Sequence, residues 1–238
     1  MQLFCFPYAG GTADFFSQLD PWIPSTIELV KLEYAGHGTR HREPFYQNFS
    51  QLADDLYEAV KRLYHPGEGY ALFGYSMGSI AAVEVLVRIL RDEMLPPPER
   101  VFLAAHEPFD KRALLNFQGD EADEWIQERT VSFGGVPEKL LENRTFWRLY
   151  LPLYRADYTL IANYNFSKLT LACEIPLTGL YGNQDIASEK MRSWGNYFQG
   201  ECEFVEFEGN HFFITEHRQE LAELIAKRLQ EGGGTDGV

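Results

Sequence analysis

The 238-residue chain has little cysteine: Cys5, Cys173 and Cys202 are all of it. So sparse and odd a set, with no export signal, argues against a disulfide-built secreted scaffold and predicts reduced thiols and a cytoplasmic location. Cationic charge is short too, with 21 Lys and Arg against 35 Asp and Glu, a net charge of −14. A field of that sign disfavours nucleic acid and anionic membrane surfaces as partners. No stretch approaches the roughly 18 apolar residues that a membrane span needs. The segment from Met1 to Gly11 lacks the basic start of a signal peptide. There is no His/Cys cluster with zinc spacing and no GxxxxGK[ST] loop, so no metal site and no cofactor are expected. What is present is ordinary: 45% hydrophobic and 24% charged residues, the mix of a globular protein.

Short β-rich runs alternate with longer helical ones. Residues 2–6, 28–34, 70–75, 100–105, 175–181 and 203–207 read as strands. Residues 48–64 place Phe49, Leu52, Leu56, Tyr57, Val60 and Leu63 at helical spacing. Residues 78–90 are apolar on nearly every side, as in a helix packed against a sheet, and residues 216–229 read as a closing amphipathic helix. This alternation predicts an α/β fold, a mostly parallel sheet flanked by helices. The rhythm breaks over residues 107–168, which read as helices near 120–132, 137–142 and 145–163, an insertion of the kind that forms a lid. The expected organisation is one domain over residues 1–230 and a flexible Gly-rich tail over 231–238.

The sharpest motif is Gly74-Tyr75-Ser76-Met77-Gly78, a G-x-S-x-G between a strand and a helix. Its glycines relieve crowding where the serine sits on a tight, strained turn. A serine at neutral pH needs a base, and the base needs an orienting acid. With the elbow after an early strand, the chain order should be Ser, acid, His. His37, His41 and His65 precede the serine. His106 ends the next strand, close enough to line the site but wrongly placed for a base, and reads as a strand-end residue with a polar group near the pocket as the alternative; His217 falls in the last helix, on the surface. His211, after a strand and Gly209-Asn210, is the expected base. Asp185, after the strand over 175–181, is the expected acid, with Asp157 of the lid as runner-up. Two backbone amides should form an oxyanion hole: Met77, and Ala9 (Tyr8 next) in the loop Pro7-Tyr8-Ala9-Gly10-Gly11.

Taken together, Phe6-Pro7-Tyr8-Ala9-Gly10-Gly11, the elbow, Leu151-Pro152-x-x-Arg155-Ala156-Asp157-Tyr158, Gly182-x-x-Asp185 and Gly209-x-His211 resemble a type II thioesterase. These are free-standing α/β-hydrolases that accompany nonribosomal peptide and polyketide synthases. The resemblance runs from residue 3 to about 230. It implies hydrolysis of acyl or aminoacyl thioesters from the phosphopantetheine arm of carrier proteins, which removes misprimed or stalled groups. It implies a Ser-Asp-His triad at Ser76, Asp185 and His211. The phosphopantetheine would belong to the substrate. Tyr34-Ala35-Gly36-His37-Gly38 departs from the family's more usual Pro-Gly-Arg loop.

An acidic chain meeting an acidic carrier would need a local basic surface. Arg40, His41 and Arg42 are one candidate, Lys111 and Arg112 another. Phe146, Trp147, Tyr150 and Tyr154 in the lid are candidates to line an acyl pocket. A monomer is the default. A general carboxylester hydrolase or aminopeptidase would use the same triad and is the alternative reading.

Overall fold

Six parallel strands form one sheet in the order β2-β1-β3-β4-β5-β6 in the computed structural model, which describes residues 1–109 and 120–232. The strands are β1 (Gln2–Phe6), β2 (Glu28–Lys31), β3 (Tyr70–Tyr75), β4 (Arg100–Ala104), β5 (Leu177–Gly182) and β6 (Cys202–Phe207). Side chains alternate between the two faces, as the period of a strand requires. Phe4, Phe6, Leu72 and Leu103 enter the core beneath α1 (Phe49–Leu63) and α2 (Met77–Asp92). Leu3, Cys5, Phe73 and Phe102 enter the core beneath α6 (Arg218–Gly232). Burial on both faces explains why these strands are apolar nearly throughout.

Because every strand runs the same way, the segments that follow them emerge along one edge. The order reverses between β1 and β3, and at such a switch point an open α/β sheet leaves a crevice. The loop after β1 and the turn after β3 face each other there. Between β4 and β5 the chain forms α3 (Asp120–Ser132), a single 3-10 turn (Glu138–Leu140) and α4 (Arg144–Asn163). Arg155 of α4 pairs with Asp123 of α3. A short α5 (Ser188–Arg192) follows β5.

Several boundaries differ from the sequence reading; β5, for one, begins at Leu177. The second strand stops at Lys31, after which the chain turns, with His37 N–H bonded to Tyr34 C=O at 3.1 Å. The helix expected over 137–142 is only the 3-10 turn. Leu141 closes that turn, and Asn143 caps α4, accepting from Thr145 N–H and Phe146 N–H at 3.0 Å each. The last helix begins at Arg218, because residues 213–215 form a separate 3-10 turn. His217 therefore lies just outside the helix, bridging Glu208 C=O and the Glu220 carboxylate at 2.9 Å each. Lys111, Arg112 and residues 233–238 of the expected tail lie outside the described residues.

The passage of α2 over β1 leaves no room for a side chain at Gly78, where a Cβ would overlap the Phe6 carbonyl. At Gly195 the nearest atom to such a Cβ, Phe204 Cζ, lies 4.0 Å away. Gly78→Ala should therefore cost about 1–3 kcal/mol as an overpacked substitution, while Gly195→Ala should be neutral or slightly stabilising. Urea midpoints of the two variants check the contrast.

Candidate active site

Ser76 stands between β3 and α2 with φ 54° and ψ −119°, a backbone conformation that an L-residue adopts only under constraint. Its N–H is held by Ala104 C=O at 2.7 Å. The Ser79 hydroxyl fastens the first turn of α2 to the strands, donating toward Gly74 C=O or Ala104 C=O at 3.0 Å and accepting from Ala104 N–H at 3.2 Å. At Gly74 a Cβ would overlap the Gly78 carbonyl. The two glycines of the motif thus permit the close approach, and the turn presents Ser76 to a cavity.

His211 and Asp185 arrive from the two strands beyond β4. Since β5 and β6 are neighbours, their following loops run side by side, tied by Gly209 N–H to Asn183 Oδ1 at 3.1 Å and Gln184 N–H to Gly209 C=O at 2.9 Å. His211 Nε2 lies 2.9 Å from Ser76 Oγ, and His211 Nδ1 lies 2.8 Å from Asp185 Oδ2. The Tyr75 hydroxyl donates to His211 C=O at 2.7 Å and sets the height of the ring. Ser76 and His211 are buried and Asp185 is half-buried. A carboxylate on Nδ1 favours the tautomer that leaves Nε2 free to accept the serine proton. Phe133, at the end of α3, stacks on His211 with centroids 4.1 Å apart, and the Arg129 guanidinium lies 4.2 Å from the centroid of Phe133. The segment between β4 and β5 and His211 are therefore in direct contact, a packing that the sequence reading missed. Only the Gly134-Gly135 break hinted at it: a Cβ on Gly135 would overlap the Phe212 ring.

The cavity over Ser76 has a volume of about 220 Å³. Ala9, Thr130, Tyr154, Tyr158 and Ile161 are among its walls. Met77 opens α2, so its N–H has no acceptor within the helix. Of the four aromatics expected to line an acyl pocket, Tyr154 reaches the cavity; Phe146 and Tyr150 stack on each other at 4.7 Å, and the Trp147 indole donates to Leu141 C=O at 2.8 Å. His106 is more than a strand end: its ring borders the cavity beside Phe109 and Phe166, and its carbonyl accepts the Trp194 indole N–H at 2.6 Å. Among the described residues no group of three or more His, Cys, Asp and Glu side chains is placed to hold a metal. No helix among them is long and apolar enough to cross a membrane.

Asp157, the runner-up acid, is elsewhere. Its Oδ2 accepts the Gly10 N–H at 2.6 Å and lies 2.9 Å from His37 Nε2, with both side chains buried. His37 Nδ1 lies 3.1 Å from Ala35 C=O. Each ring nitrogen thus faces an acceptor, which only the imidazolium satisfies on both sides. Burial pushes the His37 pKa down, but the Asp157 carboxylate, Ala35 C=O and Glu33 together leave it above the usual histidine value. Arg40 is not a free cation for docking, since it is bound by Glu43 and Asp55. The guanidinium holds both carboxyls below their usual range, by hydrogen bonding at Glu43 and, at Asp55, against an opposing effect of burial.

A parallel sheet with a strand–serine–helix elbow, followed in chain order by an aspartate and a histidine at its carboxyl edge, defines the α/β-hydrolase class. Within it, residues 1–229 match the "Thioesterase domain" family, and the chain belongs to that family. It is 28% identical to the gramicidin S biosynthesis protein GrsT of Aneurinibacillus migulanus over 233 residues, covering 97% of this chain and 89% of that one. It is 27% identical to the medium-chain S-acyl fatty acid synthase thioesterase of Rattus norvegicus, over 96% of this chain and 88% of that one. Among solved structures, ClbQ from the colibactin NRPS/PKS pathway superposes with a TM-score of 0.86 at 27% identity, covering 98% of each chain.

The raised pKa of His37 has a consequence for stability. The charges facing the ring are Asp157 from α4 and Glu33 from its own loop, with the Tyr34 phenol alongside. A group whose pKa is raised on folding contributes stability below its unfolded value, 6.5 here, and loses that contribution as pH rises through the folded value. The wild type should therefore exceed His37→Gln in urea resistance most at pH 6 and below. The gap should narrow on going to alkaline pH.

Proposed function

We infer that the protein is a type II editing thioesterase, hydrolysing acyl and aminoacyl thioesters from the phosphopantetheine arm of carrier proteins in nonribosomal peptide or polyketide synthesis. The observation that carries this reading is the unbroken line Asp185–His211–Ser76, with spacings of 2.8 and 2.9 Å, at the cavity of a thioesterase-family chain. GrsT, from gramicidin S biosynthesis, and ClbQ, from an NRPS/PKS pathway, support the pathway assignment. The reading sets the enzyme in the cytoplasm as a monomer, with residues 1–230 acting as one unit and the segment between β4 and β5 as its lid. It requires no metal or organic cofactor.

In the proposed cycle His211 Nε2 takes the proton of Ser76 as Oγ attacks the thioester carbonyl. The Met77 and Ala9 amides receive the charge that develops on the oxygen. Asp185 stabilises the imidazolium and keeps its orientation. Collapse of the tetrahedral adduct expels the pantetheine thiol, which takes the proton from His211. A water deprotonated by His211 then attacks the acyl-serine, and the free acid leaves as the proton returns to Oγ.

The test presents one acyl group twice, as a thioester on a holo carrier protein and as a plain oxygen ester. Carrier-bound thioester should be hydrolysed with kcat/KM at least about 100-fold above the ester, and Ser76→Ala should lose turnover by about 10⁴-fold or more while remaining folded. Equal turnover of both substrates would move the protein to a general ester hydrolase. A folded Ser76→Ala variant with wild-type turnover would remove the nucleophile assignment.

A further inference from the structure

The strongest feature left unused by the cycle above is the buried pair His37–Asp157. It joins three segments far apart in sequence: the loop after β2, the lid helix α4 and the loop after β1. It does so at the edge of the turn that carries Ala9. That turn is closed by Gly11 N–H bonding Tyr8 C=O at 2.9 Å, and its third residue, Gly10, is left-handed with φ 77°. Gly10, which lacks a Cβ, is the most permissive residue of this turn. Something must therefore hold the turn in place if the Ala9 amide is to stay at the reacting oxygen.

We propose that Asp157 is a positioning residue for the oxyanion hole: its carboxylate grips the Gly10 N–H, holds the turn in place, and thereby keeps the Ala9 amide, carried by the preceding peptide, within reach of the carbonyl attacked by Ser76. The turn is pinned at both ends. The Tyr34 hydroxyl donates to Pro7 C=O at 2.7 Å on one side, and Asp157 accepts from Gly10 at 2.6 Å on the other. Tyr154, three residues before Asp157 on the same face of α4, presses its ring where a Gly10 side chain would be. The helix that roofs the cavity is thus also a wall of the oxyanion loop.

His37 makes a carboxylate tolerable at this place. An unpaired buried anion beside the oxyanion hole would be costly to bury, and would oppose the negative charge developing in the transition state. The imidazolium, held by Ala35 C=O on its far side, cancels that charge, and the Oδ2 that takes its bond accepts from Gly10 N–H as well. Neither residue touches the substrate or the reacting atoms.

This rests on the hydrolase reading of Ser76, and the two can fail separately. The experiment measures kcat and KM on a carrier-bound thioester, together with affinity for two probes bearing the same acyl chain. One is a trifluoromethyl ketone, which adds to the serine and places an oxyanion in the hole. The other is a non-hydrolysable thioether, which binds only as ground state. Asp157→Ala should lower kcat by about 100-fold, the cost of losing one oxyanion donor. Ketone affinity should fall in step, with KM and thioether affinity within threefold of wild type. Asp157→Asn keeps an acceptor oxygen but not the charge, and should recover about tenfold of the loss in kcat. His37→Gln should lower kcat with the same pattern.

Wild-type kcat in folded Asp157→Ala would overturn the proposal. So would a loss confined to KM, or a loss of kcat with undiminished ketone affinity. Should Asp157→Ala not fold, Asp157→Asn decides: about a tenfold fall in kcat and ketone affinity at unchanged KM supports the proposal, and wild-type values of both overturn it. If the wild-type enzyme neither turns over thioester nor forms a ketone adduct on Ser76, the hydrolase reading itself fails.

Discussion

The close crossing of α2 over the end of β1 sets the other distances in the site. Gly78 lies so near the Phe6 carbonyl that a methyl group would separate helix from strand. That proximity puts the start of α2, with the Met77 amide, beside the loop that leaves β1, with the Ala9 amide. The same crossing holds Ser76 in its strained positive-φ conformation, and the Ser79 hydroxyl locks the arrangement by bonding to backbone of both β3 and β4. The strain at one residue is supported by two adjacent strands and the first turn of a buried helix, which is how a conformation costing of the order of 1–3 kcal/mol persists.

From that fixed point the parallel sheet supplies the rest. β5 and β6 are adjacent, so the loops bearing Asp185 and His211 are cross-bonded before either meets the serine. The helical segment after β4 then closes over the site from two sides. Phe133, just past α3, stacks on His211, while Tyr154 and Asp157 of α4 press on the turn at Gly10. The segment between β4 and β5 thus touches both His211 and the turn that carries Ala9.

Much of this was legible in the sequence because the fold writes chain order into position. Ser76 was found from its flanking strand and helix, and Asp185 and His211 from following strands and glycines; these three are the residues that the structure brings within hydrogen-bond distance. The two long lid helices were legible from their periodicity to within a residue or so. Contacts that depend on tertiary placement were not. Asp157 read as a second-choice acid because its partner residues, Gly10 and His37, lie 147 and 120 positions away and neither belongs to its periodic pattern. His106 was legible as close enough to line the site, but its preferred reading was a strand end, because only the folded segment after β4 gives it a cavity to border. Arg40 read as a free basic patch because Asp55, which binds it, lies on α1, fifteen residues on.

The central claim is that Ser76 carries the acyl group between the pantetheine thiol and water. The most direct test mixes enzyme with an acylated carrier protein, quenches in acid within milliseconds, and digests for mass spectrometry. The account predicts the acyl mass on the peptide containing Ser76, appearing and decaying during turnover, with holo carrier released in step with its appearance. Hydrolysis at full rate with no acyl group on that peptide at any time, or with the group on a different residue, would contradict it.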